Sequence, residues 1–289
     1  MKIFINTLIL ICVFQVKICS QTNTEIFVFD FLKTKNGFII SNPINISNND
    51  GYDSQPHFTK DSNEVLFSSN NKGQTDLVRY SLLTNQKTVL LNTPASEYSP
   101  TPIPNIDAIS YIKLEADGTQ LLWKLDLTKQ KEAVLIPNLK IGYHVWTQEN
   151  DIVSFVLGNP QTLQYTNLKT NQTRVIDSLI GRSLHKISTT NLISYISKLS
   201  DIWCINSFNP VTMSIKKIID LPFNVEDITW TPDGSVIVAH KSTFYLFDST
   251  LAAQWIEIKD TENFTMLQNI TRISVSPNGK KLAVVISDK

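Results

Sequence analysis

A repeat constrains this chain more than any other feature. Asp227 to Ala239 reads DITWTPDGSVIVA, and Arg272 to Val285 reads RISVSPNGKKLAVV. Each is an apolar strand, a Pro-Asp-Gly or Pro-Asn-Gly turn and a second apolar strand, a hairpin signature in which glycine supplies the positive φ of the turn. Pro56 to Phe67, Pro102 to Tyr111, His144 to Phe155 and His185 to Tyr195 have the same shape with poorer turns. Aligning the last core residue before each turn picks out Phe58, Ile103, Trp146, Ile187, Trp230 and Val275, spaced 45, 43, 41, 43 and 45 residues apart. That period is the length of one four-stranded propeller blade.

Further strands are legible between the hairpins, as in Thr75 to Ser81 then Lys87 to Leu91, and Gln120 to Leu127 then Ala133 to Ile136. Polar turns join them, and no segment sustains a 3.6-residue apolar period with caps, so helices are expected to be nearly absent. The sixth unit stops at Ile286 after two strands. Its missing pair lies at the other end of the chain, in Glu25 to Phe31 and Phe38 to Ile46. The expected fold is therefore all-β: a six-bladed propeller of four-stranded antiparallel blades, with N-terminal strands completing the last blade and hiding the edges of an open ring.

Lys2 followed by the apolar run Ile3 to Phe14, with Ser20 before Gln21, matches a secretory signal too short to cross a bilayer. This divides the chain into residues 1–20, a signal, and 21–289, the propeller, with a periplasmic or secreted destination. Lipidation of Cys19 is the alternative, disfavoured by the charge at Lys17. The full chain has 26 basic and 26 acidic residues; removing Lys2 and Lys17 leaves 24 against 26, a net of −2. No integral membrane segment follows, and no basic patch points to nucleic acid. Cys204 is the one cysteine after residue 20, which excludes a disulfide framework and reads as a buried hydrophobe.

Pro232-Asp233-Gly234 and Pro277-Asn278-Gly279 resemble the F-S-P-D-G-like turn of the TolB-type six-bladed propellers, with Lys60-Asp61-Ser62-Asn63 as a degraded copy. Glu97-Tyr98-Ser99-Pro100, Gln120-Leu121-Leu122-Trp123, Gly142-Tyr143-His144-Val145-Trp146 and Gly181-Arg182-Ser183-Leu184-His185 are similar to strings in exported bacterial proteins of that class. The resemblance spans the chain after the signal, and it implies a fold without naming a substrate. TolB carries an additional N-terminal domain for which this sequence leaves no room, so its lipoprotein partnership is not expected to carry over.

Propellers bind where the loops entering the innermost strands converge on the central channel. Counting back from the aligned core residue, His144 and His185 fall two positions before it in neighbouring units, at one depth. Glu97, Tyr98, Tyr143, Arg182, Asp227 and Arg272 precede them as a mixed polar rim, in which Arg182 and Arg272 are suited to grip a carboxylate. The residues allow a metal on His144, His185 and Asp227, although no local ligand motif supports one. His57 and His240 read as scaffold residues, and Trp123, Trp203, Trp230 and Trp255 as packing between blades. No phosphate loop, dinucleotide fingerprint or zinc-protease helix is present, so no cofactor and no catalytic residue is expected. The primary expectation is a monomeric, non-catalytic propeller that binds a protein, peptide or small polar ligand at the channel mouth. The alternative is a propeller hydrolase or lyase using the His144 and His185 pair.

Overall fold

The computed structural model describes residues 23–71, 73–251, 253–259 and 264–288; the expected signal lies outside them. The described residues form 24 strands and no helix, arranged as six four-stranded antiparallel sheets. The chain enters through β1 (Thr24–Thr34) and β2 (Gly37–Asn45). Blade 1 is β3 (Asp53–Phe58), β4 (Glu64–Asn71), β5 (Gln74–Ser81) and β6 (Gln86–Leu91). Blade 2 is β7 (Ser96–Pro102), β8 (Ala108–Leu114), β9 (Gln120–Asp126) and β10 (Lys131–Ile136), and blade 3 is β11 (Ile141–Gln148), β12 (Asp151–Val156), β13 (Thr162–Asn167) and β14 (Gln172–Ser178). Blade 4 follows as β15 (Ile180–Lys186), β16 (Ile193–Ser197), β17 (Cys204–Asn209) and β18 (Ser214–Asp220). In blade 5 come β19 (Ile228–Trp230), β20 (Val236–His240), β21 (Thr243–Phe247) and β22 (Ile256–Ile258). Blade 6 begins with β23 (Ile270–Val275) and β24 (Lys281–Ser287), and β1 and β2 complete it in the order β2-β1-β24-β23.

The closure expected from sequence is the one observed. Strand β1 pairs antiparallel with β24 from Thr24 opposite Ser287 to Asp30 opposite Lys281. The first strands of the blades touch in succession, β3 to β7, β11, β15, β19, β23 and back to β3, so they line the hub of a closed ring. Lys33, near the end of β1, reaches into blade 5, where its ammonium bonds Asp233 at 2.5 Å, Asp248 at 2.7 Å and the Ser235 hydroxyl.

Burial follows from position in the blade. The second strands read as unbroken apolar runs because both faces are covered by neighbouring blades; β16 and β24 have almost no exposed side chain. The outermost strands β6, β10, β14 and β18 are exposed along most of their length. The buried side chains fall into six clusters, one for each interface between neighbouring blades. A propeller core is thus a set of six seams, each built from sheet faces about 10 Å apart.

The hairpin turns behave as their residues dictate. Gly234 and Gly279 sit at φ +89° and +67°, and Ser62 takes the same left-handed conformation in the degraded turn of blade 1. Gly279 is required twice over, since a Cβ there would lie 3.1 Å from Pro232 of the neighbouring turn.

Candidate functional site

The hub encloses a cavity of about 630 Å³. β-Bulges shape it. Irregular register falls between Ser54 and His57, Tyr98 and Thr101, Ile141 and Tyr143, Ile180 and Leu184, and Ile270 and Arg272, in the innermost strands of five blades. Such insertions turn side chains out of the sheet's alternation, and here they turn them toward the channel. Gln55 and Ser99, at equivalent places in blades 1 and 2, adopt φ of +60° and +53°, and Gln55 Oε1 accepts from the Ser99 amide at 2.7 Å. Gly181 lets β15 approach β16 so closely that a Cβ would meet Ile196 at 2.9 Å, and Arg182 follows in the same bulge.

Three histidines line the cavity: His57, His144 and His185. His57 corrects the scaffold expectation, for it is open to the channel and lies within electrostatic reach of both the others. The equal depth expected for His144 and His185 is also corrected. His185 pairs with Ser194 and His57 with Leu66, which face the following blade in the same register, whereas in blade 3 that register belongs to Val145 opposite Val153. Trp146 lies one residue beyond the pair Val145–Val153, whereas Ile187 lies two beyond the equivalent pair His185–Ser194, so aligning Trp146 with Ile187 offsets the two blades by one residue. Burial disfavours the imidazolium at His185 and His144, holding them down at about 4 and about 3, while His57 is exposed to the channel.

His144 is buried, with Nε2 2.6 Å from Ser110 Oγ. That hydroxyl also accepts the Trp146 indole N–H at 2.8 Å and donates to the Thr101 carbonyl at 3.2 Å. His144 Nδ1 is buried without a partner among the described residues. His185 Nε2 lies 2.8 Å from Ser183 Oγ on its own strand.

The inner end of the cavity is closed by charge. Arg272 donates to the Tyr143 hydroxyl at 2.8 Å and faces Asp227 at 3.6 Å. Asp227 Oδ1 accepts the Ile273 amide at 3.0 Å, fixing the cluster to the start of blade 6. Arg182 donates through Nη2 to the Thr271 carbonyl at 3.1 Å, while its buried Nε has no partner among the described residues. Burial raises the Asp227 carboxyl despite both guanidiniums; the Tyr143 hydroxyl is also pushed up by burial, but Arg272 and Arg182 outweigh this and hold it below its usual value. Two guanidiniums against one carboxylate leave this end of the channel cationic.

Of the expected site residues, His144, His185, Arg182, Asp227, Arg272 and Tyr143 meet at the cavity; Glu97 and Tyr98 do not line it. The ionic residues close the inner end of the cavity and form no rim above the histidines. Tyr98 packs in the seam between blades 2 and 3. Glu97 is fully buried against Thr93, and burial, reinforced by the Asp76 charge, raises its carboxyl to about 7. Among the described residues no group of three or more His, Cys, Asp or Glu side chains is arranged to hold a metal ion, so the set His144, His185 and Asp227 is not assembled as one. Cys204 is half-buried rather than buried, with its thiol raised by burial.

No protein-family model matches the chain, and no curated protein does. Solved structures do. A protein described as a TolB of Agrobacterium tumefaciens aligns with TM-score 0.69 at 14% identity over 93% of this chain and 99% of that one. An oligogalacturonate lyase, solved in complex with manganese, aligns with TM-score 0.61 at 12% identity over 90% of this chain and 82% of its own. TolB from Acinetobacter baumannii aligns with TM-score 0.57 at 10% identity over 92% of this chain and 64% of its own. The architecture is that of the TolB-type six-bladed propellers. At these identities the likeness is one of fold, and it is shared by a TolB and a lyase alike.

Proposed function

We propose that this chain is an exported, non-catalytic propeller that binds a polar ligand bearing an anionic group, a peptide or a small molecule, in its central channel. The observation that carries the reading is the union of a cavity of about 630 Å³ with a cationic inner end, where Arg182 keeps an unused N–H beside the paired Arg272 and Asp227. Neutral imidazoles on the walls supply hydrogen-bond partners without adding charge, and a guanidinium with a free donor is the group best suited to a carboxylate. Residues 1–20 serve as the export signal in this reading, and the protein acts as a monomer.

The test compares recovery of the ligand that co-purifies with wild type from the native host against Arg182→Gln and a His57, His144, His185 triple alanine variant. Loss of a carboxylate-bearing species in both variants, with the fold intact by circular dichroism, is the expected outcome. A ligand retained by both rejects the channel. The likeness to a lyase fold gives the enzyme reading its own test. Cleavage of oligogalacturonate by wild type, abolished in His144→Ala, would replace binding with catalysis.

A further inference from the structure

The opposite face of the ring, where the chain passes between blades and between second and third strands, carries a separate pocket of about 190 Å³. Arg182, Glu226, Asp227, His240, Lys241 and Arg272 supply its polar lining. The carboxylates there are already matched: Asp227 by Arg272 at 3.6 Å, and Glu226 by Lys198. Lys241 has no ion pair among the described residues, and Arg182 no carboxylate partner beyond these, so the pocket holds unmatched positive charge. The His240 ring is held flat by stacking on Phe223, centroids 4.2 Å apart and planes 11° apart.

The margin of this pocket is apolar. Val225, Ala239 and Ile270 line it, and Phe223, which accepts the Val225 amide at 2.8 Å, stands at its edge 36% exposed. Large apolar side chains left in water beside an unmatched cation form a surface with two chemistries, and a ligand complementary to it must offer both.

We propose that this pocket binds a carboxylate carried on an apolar group, a short aliphatic or aryl carboxylic acid, with the carboxylate on Lys241 and Arg182 and the apolar part against Val225, Ile270 and Phe223. The pocket shares Arg182, Asp227 and Arg272 with the channel and is told apart from it by Lys241 and Phe223, which do not line the channel. Isothermal titration with acetate, hexanoate and inorganic phosphate tests it. Hexanoate should bind one to one and at least tenfold more tightly than acetate, because each methylene removed from water is worth about fourfold in affinity and only part of the chain is covered. Lys241→Gln should weaken hexanoate about fivefold or more, and Phe223→Ser should shrink its advantage over acetate. Val225→Ser, in a partly exposed stretch outside the strands, gives the same readout should Phe223→Ser lose its fold. Equal binding of acetate and hexanoate, preference for phosphate, no binding of any probe, or hexanoate binding unchanged in Lys241→Gln overturns the proposal. A channel ligand that survives Lys241→Gln leaves the channel reading standing in every one of these cases.

Discussion

His57 and His185 occupy the same register position in blades 1 and 4, which stand opposite each other across the six-membered ring, His57 opposite Leu66 and His185 opposite Ser194. Both face the cavity, and His144 enters from blade 3 one position earlier. Three imidazoles from three blades therefore meet without any carboxylate among them.

Their neutrality is testable without a ligand. Burial depresses His185 to about 4 and His144 to about 3. Histidine ring resonances assigned to these residues should stay fixed from pH 8 to about 5, below which the fold is put under strain. The sign follows from linkage. Between the folded value and an ordinary value near 6.5, the unfolded chain binds more protons, so these groups lower stability as pH falls. A His144 resonance titrating near pH 6.5 would contradict the burial described here.

Trp146 donates its indole N–H to Ser110 at 2.8 Å, and Trp230 makes the same bond to Ser194 two blades on, also at 2.8 Å. The two are structural equivalents, each crossing a seam onto the second strand of the preceding blade. Trp146→Ala should cost about 3 to 5 kcal/mol in denaturant unfolding, the range for emptying a buried aromatic site. Trp230 is half-buried, so its alanine variant should cost less. Trp146→Phe keeps most of the packing and should cost about 1 to 2 kcal/mol, chiefly the lost bond to Ser110.

The blade count and the ring closure were legible because turn glycines and apolar pairs recur along the chain whatever the details of pairing. The depth of a side chain was not. Trp146 lies one residue beyond the pair Val145–Val153 and Ile187 two beyond the equivalent pair His185–Ser194, which shifts His144 against His185, and bulges in five hub strands undo the alternation by which facing is read. His57 is not distinguished by sequence because Pro56-His57-Phe58 reads as an ordinary strand. The matching signal was available in retrospect: His57 and His185 each stand two residues before the residue whose amide closes the turn, Thr59 and Ile187.

Asp53 and Glu97 are equivalents in β3 and β7, both fully buried, each with one carboxylate oxygen lacking a partner among the described residues. Burial raises Asp53 to about 6 and Glu97 to about 7. A raised acid binds more protons folded than unfolded, so its penalty is absent at low pH and grows as pH rises through the folded value. Glu97→Gln should therefore match wild type in melting temperature near pH 5 and exceed it at pH 8, by about 1 to 3 kcal/mol on the stability scale. A variant that melts lower than wild type at pH 8 would mean that Lys113, across the strand pair, holds Glu97 ionised at a net gain.

Closure of the ring rests on β1, and Lys33 marks how far that strand reaches. Its ammonium is shared by Asp233, Asp248 and Ser235 of blade 5, so an N-terminal strand of blade 6 secures the turn of its neighbour. Asp248 is mostly buried, and although burial pushes its carboxyl up, the bonds from Lys33, Thr250 and Ser235 hold it far below the usual range. Lys33→Met strands that carboxylate and should cost about 1 to 3 kcal/mol, with the loss largest at neutral pH and shrinking as acid protonates Asp248. Deleting residues 23–46 goes further, because it uncovers the whole edge of β24 from Lys281 to Ser287 and removes Phe29, Phe31, Phe38 and Ile40 from the seam between blades 5 and 6. An exposed apolar edge strand pairs with whatever edge it meets. The truncated chain should elute as aggregate in size-exclusion chromatography where Lys33→Met remains a monomer. A truncated chain that stays monomeric and melts like wild type would show that the ring holds without β1.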